Sequence, residues 1–214
     1  MDQPLARIFS ATWRAAIVLL SVEIAVVSAL RYITGSEPPP PPILANAHAD
    51  PFLIVHVVAG IVALLAGPLQ FVRRIRARRP ALHRATGLVY VAACAIAAPA
   101  GFLLALGTTA GPVAATGFAI PAVLLPVFTF LGLRAAIERR FAEHREWMLR
   151  SYAVIATAIT LRLMIPGSAL LGFDFMTAYP VIAWASWSLN LAFFELHIRR
   201  TRTAAPGFGA LATA

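Results

Sequence analysis

Six apolar runs, each about as long as a bilayer is thick, alternate with short polar segments along the chain. About 20 helical residues span a hydrocarbon core of roughly 30 Å, and each run meets that length. The pattern predicts transmembrane helices near 12–33, 52–72, 85–107, 117–137, 151–172 and 178–198. We therefore expect an all-α, polytopic transmembrane bundle that forms a single domain over residues 1–202.

The segments outside these runs are short. The external loop 34–51 contains the five prolines of residues 38–42, a run typical of an extended polyproline helix, and the tail 203–214 is predicted to be a disordered cytoplasmic segment. A cleaved signal peptide is an alternative for the first helix, because Arg7 and Arg14 precede an apolar stretch. Glu23 within that stretch favours a retained helix.

Composition excludes a water-soluble fold. Hydrophobic residues make up 60% of the chain and charged residues 13%, whereas soluble domains carry about 25% charged residues. The mean hydropathy is +0.79. Because Cys94 is the single cysteine, the chain offers neither an internal disulfide nor a site built from several thiolates.

Arginine supplies all 18 basic side chains, against 9 acids, for a net charge of +9. Sixteen arginines lie before or at the start of the first run, between runs two and three, at the end of run four or between runs four and five, or after the sixth run. Because positive residues are retained on the cytoplasmic side, both termini are expected to be cytoplasmic. The basic segments lack interleaved aromatic residues for base stacking, so the expected partner is the lipid bilayer and not nucleic acid.

Several motifs resemble a family of bacterial predicted membrane proteins catalogued as domain of unknown function 2306. They are His56-x3-Gly60, Gly67-Pro68-x-Gln70-Phe71, Arg76-x-Arg78, His83-Arg84-x2-Gly87-x2-Tyr90, His144-Arg145-x-Trp147-Met148-x-Arg150-Ser151-Tyr152 and Arg162. The resemblance covers the second to the fifth helix. It implies a multi-pass protein of the bacterial cytoplasmic (inner) membrane and brings no activity or cofactor with it.

Two stripes of small and polar residues are expected to bring the second and third helices together. They are His56, Gly60, Ala63, Gly67 and Gln70 on one helix, and His83, Gly87, Tyr90, Cys94, Ala97 and Gly101 on the other. Steps of three and four place each stripe on one helical face, and small residues let helix backbones approach closely.

A first candidate site lies in the outer half of the membrane. Charged groups in hydrocarbon are costly, so each is a candidate functional residue. Glu23 and Arg162 fall near the middle of their helices, at depths compatible with a salt bridge. With His56 and Asn190 they could line a cavity for an anionic ligand, a quinone or a proton path. The alternatives are a purely structural ion pair and, for His56, a neutral histidine bonded to a neighbouring helix.

A second candidate site lies at the inner face. His83 and His144 could ligate the iron of a b-type haem, with Arg84 and Arg145 on its propionates and Tyr90 and Tyr152 nearby. His197 is expected at the same face. The alternative is that the His-Arg pairs bind lipid phosphates and set helix depth. The pairs His83-Arg84 and His144-Arg145 also suggest that helices two and three are duplicated in helices four and five. The alternative is that two arginine-rich turns are similar by chance.

Three functions remain open at this point. The chain is a haem-binding or quinone-linked electron-transfer protein, a small-molecule or proton-coupled transporter or binding protein that uses Glu23, His56 and Arg162, or a non-catalytic membrane subunit. It contains no phosphate-binding glycine loop, no nucleophile elbow and no zinc-ligand spacing. Soluble-type hydrolase or kinase chemistry is therefore not expected.

Overall fold

The computed structural model describes the backbone of residues 3–36 and 39–203 and the side chains of residues 12, 13, 15–36 and 39–202. Over these residues the chain is helical and contains no strand. The helices are α1 (Gln3–Tyr32), α2 (Pro41–Leu44), α3 (Ala49–Gln70), α4 (Arg73–Arg78), α5 (Pro80–Leu106), α6 (Gly111–Ile137), α7 (Phe141–Ile155), α8 (Thr157–Leu170) and α9 (Phe175–Thr203).

The predicted fold class is confirmed. Within the described residues, six helices are long and apolar enough to cross a membrane, with α7 and α8 together forming the fifth. The short helices α2 and α4 lie in the connections between them.

The helices extend beyond the predicted apolar runs. Helix α7 begins at Phe141, ten residues before the predicted start of the fifth crossing, and its first turns are polar. The reason is that an apolar run marks the hydrocarbon layer, whereas a helix continues into the interface wherever its polar side chains find partners. The fifth crossing is also interrupted at Ala156, between α7 and α8.

The proline-rich loop differs from its prediction in one respect. Residues 41–44 form a helical turn that begins at Pro41, where the fixed φ of proline suits a first helical position. Residues 37 and 38 and the predicted disordered tail from 204 onward lie outside the described part of the chain.

Helix α7 is central to the packing. It contacts α3, α6 and α9, while α8 contacts α9 and α1, and α3 packs along α5. The core contains many alanines, and its largest fully buried side chains include Tyr90, Tyr152 and Leu64. The predicted stripes on α3 and α5 meet: His56 bonds to Ala97, and Gly67 lies against Tyr90.

The bundle has two distinct ends. The arginine-rich face consists of α4, the start of α5, the α6–α7 connection and the last turns of α9. At the opposite face Asn46 donates to the carbonyl of Leu104 at 2.7 Å, and Trp184 donates to the carbonyl of Val113 at 3.0 Å. These bonds join the loop before α3 to α5, and α9 to α6.

Candidate functional site

A cluster of hydroxyl groups occupies the centre of the bundle. Ser151 Oγ lies 2.8 Å from Tyr90 Oη and 2.7 Å from Thr129 Oγ1, so it joins α5, α6 and α7. Tyr152 Oη lies 3.0 Å from Ser21 Oγ of α1. All five side chains are buried. Both tyrosine hydroxyls are therefore engaged in core hydrogen bonds, and their place beside a cofactor stays a prediction from the sequence.

His83 and His144 lie close enough to interact electrostatically, so the structure brings the two predicted haem ligands together. His144 Nδ1 lies 2.8 Å from the carbonyl of Gly132. Since a carbonyl only accepts hydrogen bonds, Nδ1 carries the proton, and Nε2 is the nitrogen left for a metal.

His83 is in a different hydrogen-bonding state. With the Gln70 amide in the orientation that satisfies both of its polar atoms, Nε2 of Gln70 donates to His83 Nδ1 at 3.1 Å. The proton of a neutral His83 then lies on Nε2, the nitrogen that a haem iron would require. Arg84 and Arg145 are exposed, and His197 packs against Trp13 with ring centroids 5.4 Å apart. Among the described residues, no group of three or more His, Cys, Asp or Glu side chains could hold a metal ion.

A cationic site lies toward the opposite face, where α1, α3, α8 and α9 approach one another. We define it by Arg162, His56, Arg31, Tyr32 and Tyr179. Arg162 interacts electrostatically with His56, Arg31 and both tyrosines. Tyr179 is held in place by stacking on Phe175, with ring centroids 4.5 Å apart.

His56 is held in a notch of α5. Its Nδ1 lies 2.9 Å from the carbonyl of Ala97, and a Cβ added at Gly101 would lie 2.8 Å from His56 Cε1. The bond to a carbonyl places the proton on Nδ1 and leaves Nε2 free to accept a proton or a hydrogen bond. The prediction of a histidine bonded to a neighbouring helix is confirmed.

Arg162 lacks a carboxylate partner. Its Nη1 donates to the carbonyl of Ala158 at 3.1 Å, and no Asp or Glu of the described chain lies within ion-pair distance. The predicted Glu23–Arg162 pair is not formed. Glu23 lies on an exposed face of α1, because the rotation of α1 about its axis turns Ser21 and Ile24 to the core instead.

Asn190 lies in a separate polar seam between α8 and α9. Thr160 donates to its Oδ1 at 2.8 Å, so Asn190 bonds to α8, and the hydrogen bond of Arg162 goes to Ala158 and not to Asn190. Three atoms in this part of the bundle are buried without a hydrogen-bond partner: Thr157 Oγ1, Ser186 Oγ and Asn190 Nδ2. Since buried polar groups are normally satisfied, this seam is a second polar region of the membrane-spanning part.

An ion-pair network joins α7 to α9 at the arginine-rich face. Arg150 Nη2 lies 2.8 Å from Glu195 Oε2, and its guanidinium lies 4.7 Å from the centre of the Trp147 ring. Glu146 pairs with Arg202, and Glu195 also pairs with Arg199. Within the Trp-Met-x-Arg element, Arg150 thus joins α7 to α9, whereas Trp147 and Met148 face Phe128 and Gly132 of α6.

Sequence reasoning missed Arg31, Tyr32 and Tyr179 as members of the cationic site. Arg31 and the two tyrosines occur near helix ends, where such residues are common interfacial anchors. The only sequence signal was Arg162 itself, an arginine in an apolar run. Its neighbours depend on how α1 and α9 are placed around α8.

Comparison with known proteins gives one match. A family model described as "Predicted membrane protein (DUF2306)" matches residues 53–198. No curated protein and no solved structure matches the chain.

Proposed function

The chain belongs to the DUF2306 family of predicted membrane proteins, and we propose that it binds a small anionic solute at the cationic site, as a transporter or binding protein does. The observation that carries the proposal is Arg162, which has no carboxylate within ion-pair distance among the described residues. An arginine within a membrane helix is costly, by about 2.5–3.5 kcal/mol where it lies at the centre of the helix. A bound anion offsets that cost.

The neighbours of Arg162 suit such a ligand. Arg31 adds a second positive charge, and Tyr32 and Tyr179 add hydroxyl donors near the guanidinium. His56 accepts a proton at Nε2, which turns that atom into a donor and adds a further positive charge beside Arg162. Anion binding at this site is therefore coupled to proton uptake at His56.

The proposal is tested by the unfolding temperature of the full chain in detergent, with phosphate, sulfate, acetate and benzoate as separate probes. A ligand that binds only the folded state raises this temperature with concentration. We expect at least one probe to stabilise the wild type but not Arg162→Gln, and Arg162→Lys to keep part of the effect. The shift should grow as the pH falls, and His56→Gln should abolish that pH dependence.

Glu23→Gln is the matched control, since it alters another charged residue of the membrane-spanning part outside the cationic site. It should leave the anion effect unchanged. The proposal is refuted if none of the probes stabilises the wild type, or if the stabilisation persists in Arg162→Gln.

A b-type haem on His83 and His144 is a second candidate. It is favoured by the bond from His144 to the carbonyl of Gly132, because a histidine that ligates a metal typically donates its other ring N–H to a carbonyl or carboxylate. Haem ligation also requires that Gln70 no longer donate to His83 Nδ1, so that the proton can lie on Nδ1 and leave Nε2 for the iron. The visible absorption spectrum of the purified protein, before and after dithionite, tests this candidate. A haem band lost in both His83→Ala and His144→Ala supports it, and a colourless folded protein expressed with ample haem refutes it.

A further inference from the structure

A cleft of about 280 Å³ lies between α1, the end of α3, α7 and α9, close to the arginine-rich face. Its walls are mostly apolar or aromatic and include Trp13, Phe71 and Phe194. Val18 and Val72 at its edge are 44% and 40% exposed. The cleft therefore opens sideways, toward the surface that faces lipid.

Few polar groups lie among the described side chains that line the cleft: the indole N–H of Trp13, the hydroxyl of Tyr152 and the guanidinium of Arg73. Tyr152 contributes to its wall, but the Tyr152 hydroxyl is already bonded to Ser21 at 3.0 Å. The volume is near the lower limit of small-molecule pockets. These two properties suit a segment of a hydrocarbon chain and not a polar head group.

Among the described side chains that line the cleft, Arg73 is the charged one, and it lies where α4 begins. Arg73 is exposed, and no carboxylate of the described chain is within ion-pair distance of it. Arg74 and Arg76 follow on the same short helix and add to the positive field. A guanidinium in this position matches the geometry and charge of a phosphate.

We propose that this cleft is a specific site for one anionic phospholipid, with an acyl chain in the cleft and the phosphate on Arg73. The two parts of the site lie at the depths that a lipid requires, because the apolar walls are within the membrane-spanning helices and Arg73 begins the segment outside them. This site is separate from the cationic site, so either proposal can fail without the other.

Native mass spectrometry of the delipidated full chain tests the proposal, with phosphatidylglycerol and phosphatidylcholine of identical chains as probes. We expect one phosphatidylglycerol to bind more tightly than phosphatidylcholine. Arg73→Gln should weaken phosphatidylglycerol binding about fivefold, as expected for one arginine near an anionic lipid surface. Arg78→Gln is the matched control, an exposed arginine of the same helix that does not line the cleft, and it should have little effect.

Two further measurements address the acyl chain. Val18→Phe fills the cleft and should reduce the binding of phosphatidylglycerol. Chain-brominated phosphatidylglycerol should quench the fluorescence of the wild type more than that of Trp13→Phe. The proposal is overturned if Arg73→Gln and Arg78→Gln weaken binding equally, if Val18→Phe binds like the wild type, or if both lipids bind alike. A quinone in the organic extract in place of phospholipid also overturns it.

Discussion

Gly67→Ala is expected to destabilise the bundle, whereas Gly60→Ala on the same helix is not. A Cβ added at Gly67 would overlap Cδ2 and Cε2 of the Tyr152 ring and would lie 3.4 Å from Tyr90 Cε2. A Cβ added at Gly60 meets no atom within 4 Å. Both glycines lie on the predicted small-residue stripe of α3, so the sequence alone gives them the same role.

The Tyr152 ring cannot easily move away from a new methyl group. It is 1% exposed, its hydroxyl is bonded to Ser21, and its ring packs edge-on against Phe71 and Phe194 with centroid distances of 5.5 and 6.3 Å. Added volume at this point must therefore shift the backbone of α3, or push the Tyr152 ring toward the cleft that it borders at the cost of these contacts.

The magnitude follows from a comparison of the two variants. Each Gly→Ala change gains a similar helix propensity of about 1 kcal/mol, which cancels in the difference between them. The difference in the free energy of unfolding that remains is the cost of overpacking at Gly67, about 1–3 kcal/mol. For a chain of this length each kcal/mol corresponds to roughly 2–4 °C in unfolding temperature, so we expect Gly67→Ala to unfold about 2–12 °C below Gly60→Ala.

The assay is thermal unfolding of both variants in the same detergent, followed by circular dichroism. A second comparison uses Tyr152→Leu, which removes the ring that the methyl group would meet. In that background the cost of Gly67→Ala should fall. Equal unfolding temperatures for the two glycine variants, or an unchanged cost of Gly67→Ala beside Tyr152→Leu, would refute the reasoning.

Three further predictions concern hydrogen bonds and charges. Ser151→Ala breaks two hydroxyl hydrogen bonds of the core and should lower the free energy of unfolding by about 1–3 kcal/mol. Ser186→Ala removes a buried hydroxyl without a partner and should leave that free energy unchanged or raise it. The unfolding midpoints of the two variants check this difference. Arg150 is 17% exposed and Arg199 is 74% exposed, so Arg150→Gln should lower the unfolding temperature more than Arg199→Gln, and equal losses would contradict this. Hydrogen bonds from the side chain and the backbone N–H of Thr177 lower the pKa of Asp174 below its usual 3.8. The stabilisation by these bonds is therefore complete above pH 3.8 and is lost as the pH falls through the folded-state pKa. Asp174→Ala should remove this part of the loss of stability in acid, which unfolding measured against pH checks.

The number of crossings and the apolar run within each could be predicted from the sequence, because a bilayer imposes a fixed thickness and an apolar environment on every helix that spans it. The contact between α3 and α5 was also predictable. A stripe of small residues at helical spacing in a membrane helix indicates close packing against another helix. The two ends of this stripe, His56 and Gln70, carry polar groups that bond to the facing helix.

The candidate sites were predictable only in part. Arg162 stood out because an arginine in hydrocarbon needs an explanation, but its supposed partner Glu23 lies on an exposed face, and Arg31 takes a place near Arg162. The hydrogen bonds that join Tyr90 and Tyr152 to buried serines were not predicted.

The sequence by itself determined which residues enter the membrane and at what depth, since depth depends on position along a single helix. The tertiary structure decided which residues meet across helices. Which residues meet depends on the rotation of each helix about its axis and on the order of the helices around α7. Both are set by the packing of all the side chains together, so they cannot be derived from any single apolar run.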